Sequence, residues 1–153
     1  MRLLAVAALL AFVAPTAFAE EKPEAKAKEA ALALMKAVKA KDLDAIMKLS
    51  AAPFAYKEGD KPKVLKDEAA VKAWIKDRLE ELQDTDKVPT TIDKLAPFAD
   101  VKDMIKDADD RKLVEEVVGK DGFVAIVEAD GRTVIILVKI NKDGKAKIVG
   151  IGY

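Results

Sequence analysis

The chain contains no histidine and no cysteine, and Ser50 is its only serine. That inventory removes Ser/His/Asp and Cys/His triads, histidine acid–base chemistry and the usual zinc sites together. Proton transfer is left to Asp, Glu, Lys and the two tyrosines, Tyr56 and Tyr153. Each of these serves only where burial or a neighbouring charge moves its pKa toward neutrality. No residue is therefore nominated as catalytic, and no metal or other cofactor is implied. Asp84-Thr85-Asp86 and Asp107-Ala108-Asp109-Asp110 lack the alternating ligands, sixth-position glycine and closing glutamate of a calcium loop, with Arg111 standing where a ligand should be. Helix capping accounts for both. Gly150-Ile151-Gly152 ends a strand rather than preceding a helix, so it is not a phosphate loop. One grouping suits binding: Trp74, the only tryptophan, stands one helical turn before Arg78. An aromatic plate with a single charged anchor is a common form of ligand site, and Tyr56, Trp74, Arg78 and Tyr153 are nominated as pocket residues. For Trp74 the simpler role is packing a helix onto a sheet.

The elements that must position these groups are clearest near the C-terminal end. Asp130-Gly131 separates Phe123-Val124-Ala125-Ile126-Val127 from Thr133-Val134-Ile135-Ile136-Leu137-Val138, and Asp143-Gly144 separates the latter from Ile148-Val149-Gly150-Ile151. Asp-Gly between β-branched runs is a strong hairpin signal, so three strands form a meander. With Asp130 and Gly131 as the turn, Val127 opposes Val134, Ile126 opposes Ile135 and Phe123 opposes Val138. Strand side chains alternate between faces, so this pattern puts apolar groups on both. Each face needs a cover, from earlier helices or from a second copy of the chain.

Upstream, Ala27, Ala30, Ala31, Leu34 and Val38 form one stripe of an amphipathic helix with a solvated Lys-rich exterior. Asp42 caps a second helix that turns Leu43, Ile46, Met47 and Leu49 inward and stops at Pro53. Phe54-Ala55-Tyr56 and Val64-Leu65 flank a polar turn as a short hairpin. Asp67 caps a third helix with Val71, Trp74, Ile75, Leu79 and Leu82 on one side and a Lys76–Glu80 pair on the other. Residues 88–98, bounded by Pro89 and Pro97, suit an edge strand. Two short helices follow. In the first, Asp100 caps Val101, Met104, Ile105 and Ala108; in the second, Asp109 or Asp110 caps Leu113, Val114, Val117 and Val118 before Gly119. Periodicity leaves residues 110–118 open between helix and strand.

Met1-Arg2, an apolar run over residues 3–13 and Ala17-Phe18-Ala19 have the form of a secretory signal peptide over residues 1–19, cleaved after Ala19. The run is too short to cross a bilayer, where about 20 apolar residues are needed. Residues 20–26 form a polar, disordered lead-in, and residues 27–153 form a single domain. An exported, cysteine-free chain suits a bacterial periplasm or the extracellular medium. Without Arg2 the mature chain carries 26 basic and 27 acidic residues. That balance argues against a nucleic-acid partner, and against a membrane partner once the signal is removed.

Helices joined through Ala37-x-x-x-Lys41-Asp42-x-Asp44, a Pro53-Phe54 exit into a hairpin, a third helix bearing Trp74 and a meander ending Lys147-Ile148-Val149-Gly150-Ile151 resemble the NTF2-like superfamily, the SnoaL-like or cystatin-like α+β cone. The two helices after Phe98 depart from its simpler strand-to-strand connection. The resemblance implies an α+β fold in which N-terminal helices pack on a curved, mainly antiparallel sheet that encloses a cavity, with an outer face that often meets a partner. Three functions follow as expectations. The favoured one is a non-enzymatic exported domain binding a small apolar ligand or serving as an interaction module. The second is an isomerase- or cyclase-type enzyme with an Asp or Glu beside a Tyr in the cavity, and the third a structural homodimer joined through the outer sheet face. For the export reading, N-terminal sequencing of the protein recovered from an exporting host should begin at Glu20; retention of Met1 would refute it.

Overall fold

In a computed structural model that describes residues 22–58 and 61–152, five α-helices and six strands follow one another as α1 (Pro23–Lys39), α2 (Leu43–Leu49), β1 (Ser50–Glu58), β2 (Lys61–Leu65), α3 (Glu68–Glu81), β3 (Lys94–Pro97), α4 (Phe98–Val101), α5 (Ala108–Val118), β4 (Phe123–Ala129), β5 (Arg132–Ile140) and β6 (Ala146–Gly152). The expected signal peptide, the β1–β2 turn at residues 59–60 and Tyr153 lie outside the described residues. The strands form one sheet in the order β2-β1-β6-β5-β4-β3. All pairings are antiparallel except β1 with β6. The fold is α+β, with helices packed on one mainly antiparallel sheet, as expected from the sequence.

The meander forms in the expected register: Phe123 opposes Val138, Ile126 opposes Ile135 and Val127 opposes Val134. At its first turn Asp130 has φ 49° and Gly131 φ 71°, the left-handed pair that a two-residue type I′ hairpin requires. The second turn is longer. Gly144 donates to Asn141 O at 3.0 Å and Asn141 donates to Lys145 O at 2.9 Å, with Gly144 alone at positive φ, 69°.

Alternation then sorts the strand residues into two apolar layers. One holds Phe54, Phe123, Ala125, Val127, Ile136, Val138 and Ile148, packed against Ala27, Ala31 and Leu34 of α1, Ile46 of α2 and Val71 and Ile75 of α3. The other holds Ala55, Val124, Leu137 and Val149, packed against Phe98 and Val101 of α4 and Val114, Val117 and Val118 of α5. Both faces of the meander are thus covered within the chain. The outer face, for which either helices or a second copy could serve as cover, carries α5 against β1, β2, β5 and β6.

Several boundaries differ from the sequence reading for local reasons. Residues 23–26 of the expected lead-in are helical, because Pro23 at the first helical position has its φ fixed for a helix and lacks only an N–H that would go unpaired there. Helix α2 ends at Ser50, the one buried polar residue among those described, whose Oγ donates to Ile46 O at 2.8 Å. Pro53, expected to stop that helix, instead lies inside β1. There the ladder to β6 is irregular between Ser50 and Ala55, so the N–H that proline lacks is not needed.

The edge strand expected over residues 88–98 is confined to β3. Ahead of it the Asp93 carboxylate takes the place of a ladder partner, accepting from Glu128 N at 2.7 Å. Helix α4 starts before Asp100, since Phe98 is buried and its N–H donates to Gly122 O at 2.8 Å. Met104, expected to face inward, is 69% exposed. Residues 110–118 are helical, and the cap is Asp107 rather than Asp109 or Asp110. Its carboxylate accepts from both of their N–H groups, at 2.9 and 3.0 Å.

The parallel β1–β6 join depends on one close approach. A Cβ on Gly150 would stand 2.6 Å from Ala55 O and 2.8 Å from Leu137 Cδ1. Gly150→Ala should therefore lower stability by about 2 kcal/mol, read from urea unfolding midpoints. An unchanged midpoint would refute this packing.

Candidate functional site

Three of the four residues nominated from sequence do meet. The Trp74 ring lies 5.6 Å from the Phe54 ring and 5.1 Å from the Tyr56 ring, both tilted, and Arg78 Cζ is 5.9 Å from the Trp74 centroid. Tilted aromatic pairs at these separations are stabilising contacts, and Arg78 is also paired to Glu81 at 2.6 Å. The cluster seals α3 onto β1, which is the packing role. Tyr153, the fourth, lies outside the described residues.

A cavity of about 710 Å³ lies elsewhere, between α1, the segment 82–89 and the free end of the β4–β5 hairpin. Leu34, Met35 and Val38 come from α1; Val127, Val134, Ile136 and Ile151 come from the sheet. All seven are apolar. Leu82, expected on the inward side of α3, is the C-cap with extended backbone, so it leaves the helix and joins the cavity wall. Charged groups are confined to the mouth: Asp84, Lys87, Asp130 and Arg132, all exposed.

The wall 82–89 has little regular structure of its own beyond a 3₁₀ turn at Thr85–Lys87. Three lysines fix it. Lys41 Nζ donates to Leu82 O at 2.6 Å, Lys39 Nζ is 3.7 Å from Asp86, and Lys87 Nζ is 3.1 Å from Asp130 Oδ2. The last pair joins the wall to the hairpin tip across the mouth. The hydrogen bond from Asp130, its charge and that of Asp84 together hold the Lys87 ammonium above its ordinary pKa of 10.5.

An acid–base enzyme of the kind the resemblance admits would need a carboxylate inside the cavity beside a tyrosine. Here Asp84 and Asp130 stand at the mouth, while Tyr56 lies against Trp74. Asp84 accepts from Asp86 N at 3.0 Å. Ser50 is spent on its own helix end. Among the described residues the lining thus combines an aliphatic interior with a charged entrance.

The sequence carried half of this site. Alternation on β5 gave Val134 and Ile136 one face. The wall 82–89 has no hydrophobic period, and its lysine anchors span separations that no local pattern marks.

No protein-family model matches the chain, and no curated protein matches it. Among solved structures it is similar to a Shewanella frigidimarina protein described provisionally as a ketosteroid isomerase, at 12% identity and a TM-score of 0.46 over 85% of this chain and 95% of that one. It is also similar to a designed NTF2-like protein with a long sheet, at 14% identity and a TM-score of 0.41 over 82% of this chain and 97% of the other. Both likenesses concern fold alone.

The Lys87–Asp130 link gives a pH-dependent expectation. A raised folded-state pKa means the pair's contribution is complete below the unfolded value of 10.5 and fades as pH climbs through the higher folded value. Lys87→Met should melt slightly below the parent at neutral pH, and the gap should close in stronger alkali and in high salt. A gap that persists under both would show that the ammonium is not the cause.

Proposed function

We propose that the chain is an exported, non-catalytic binding domain that holds a small, mostly apolar molecule in the cavity between α1, segment 82–89 and the β4–β5 hairpin. The observation that carries this is the division of the lining into an aliphatic interior and a charged mouth. A pocket of this size and polarity favours a ligand with a large apolar surface. Among the described residues no side chain inside the cavity is placed to remove a proton from one. The Tyr56–Trp74–Arg78 cluster supports the site by fixing α3, whose end delivers Leu82 to the wall. Export belongs to the proposal on the strength of residues 1–19, and the favoured partner is thus a small molecule outside the cytoplasm.

Two adjacent residues test the location. Val134 lines the cavity, whereas its neighbour Ile135 points to the outer face beside α5 and is 38% exposed. With the neutral dye N-phenyl-1-naphthylamine as probe, the parent should show saturable one-to-one binding. Val134→Trp should weaken it by about tenfold, or 1.4 kcal/mol, with little change in melting temperature, and Ile135→Trp should bind as the parent does. Equal binding by Val134→Trp and the parent would sink this location. Loss in Ile135→Trp instead would move the site to the outer face.

A further inference from the structure

The cavity wall on β5 runs from apolar to cationic in strict alternation. Ile136, Val134 and Arg132 all line it, and alternation puts residues two apart on one face. From Ile136 to Arg132 is four residues, about 13 Å of strand. On β4 the matching residues are Val127 and Ala129, the latter directly opposite Arg132. A molecule lying along this wall meets hydrocarbon first and a guanidinium last.

The acids near the mouth are already engaged. Asp130 is held by Lys87 at 3.1 Å. Asp84 caps its own turn, and its charge acts on Lys87. Glu128 belongs to the other face of the hairpin, where its carboxylate accepts from Thr133 Oγ1 at 2.8 Å. Of the two cations lining the cavity, Lys87 is thus neutralised and Arg132 has no ion-pair partner among the described residues. A planar guanidinium with its donors unspent is suited to a carboxylate or phosphate group.

Building on the binding reading above, we propose that the ligand is an amphipathic anion: a hydrocarbon tail of medium length seated against Leu34, Val38, Val134 and Ile136, and a single negatively charged head received by Arg132 at the mouth. The tail supplies most of the affinity through burial. The head sets orientation and excludes neutral molecules of the same shape.

The test compares decanoate with decan-1-ol by calorimetry below their aggregation limits, in the parent, Arg132→Gln and Arg132→Lys. The parent should prefer decanoate by about tenfold, the scale of one charge-assisted hydrogen-bonded pair. Arg132→Gln should bring the ratio of the two affinities close to one, and Arg132→Lys should keep part of the preference. If the parent binds both alike, or Arg132→Gln keeps the preference, the anion inference is overturned while the cavity reading stands. If neither compound binds but the neutral dye does, the inference is again overturned. If the dye fails as well, the binding reading itself is lost.

Discussion

Strand β5 carries Ile136 and Val138 toward one side of the sheet and Leu137 toward the other, and all three are buried. Apolar groups on alternate faces of a central strand cannot be reconciled with water on either side, since exposing them forfeits the burial that offsets the entropy of ordering the chain. The rest of the polypeptide is disposed to meet that constraint. Helices α1, α2 and α3 supply one cover from before the meander. The other comes from α4 and α5, whose residues stand between the edge strand β3 and the meander. Arg111 holds this second cover together, donating through Nε and Nη2 to Ile105 O at 3.1 and 2.8 Å and pairing with Asp103 at 3.3 Å.

The cavity is where that cover runs out. The β4–β5 hairpin continues to Ala129 and Arg132, and the gap is closed laterally by an irregular segment instead of a helix face. Because the sheet residues that line it belong to the same alternating stripe as the core, the cavity inherits the core's aliphatic character. Its charged mouth is the ordinary transition from strand to turn. The apolar-to-charged gradient thus follows from where the sheet outlasts its helices.

Strong local chemistry made much of this legible in advance. Asp130-Gly131 set the register of the central pairing, Asp42 and Asp67 marked helix starts by accepting from Ala45 N and Ala70 N at 2.9 Å each, and the doubly apolar meander required two covers. Less was visible where long-range contacts decide. Asp107 displaced Asp109 as a cap because its carboxylate can reach two N–H groups at once. The edge strand contracted because Asp93 offered Glu128 a side-chain partner. Trp74, Tyr56 and Arg78 did gather, as their types and spacing suggested, but aromatic rings that attract one another fill space rather than leave it. The open volume formed beside the small and aliphatic residues of α1 and β5.

The tip of the first hairpin must satisfy two requirements at a single residue. Asp130 holds a left-handed backbone, φ 49°, and also supplies the carboxylate that Lys87 grips. Glycine or asparagine would meet the first requirement alone, and glutamate only the second. Exposed hairpin tips are usually the tolerant places to graft a peptide or attach a tag, but here such an insertion would unfasten the far wall of the cavity. Among the described residues the Asn141–Lys145 turn at the other end of β5 has no ion pair of this kind to a cavity wall, and it is the better graft site for modifying this domain without disturbing the cavity.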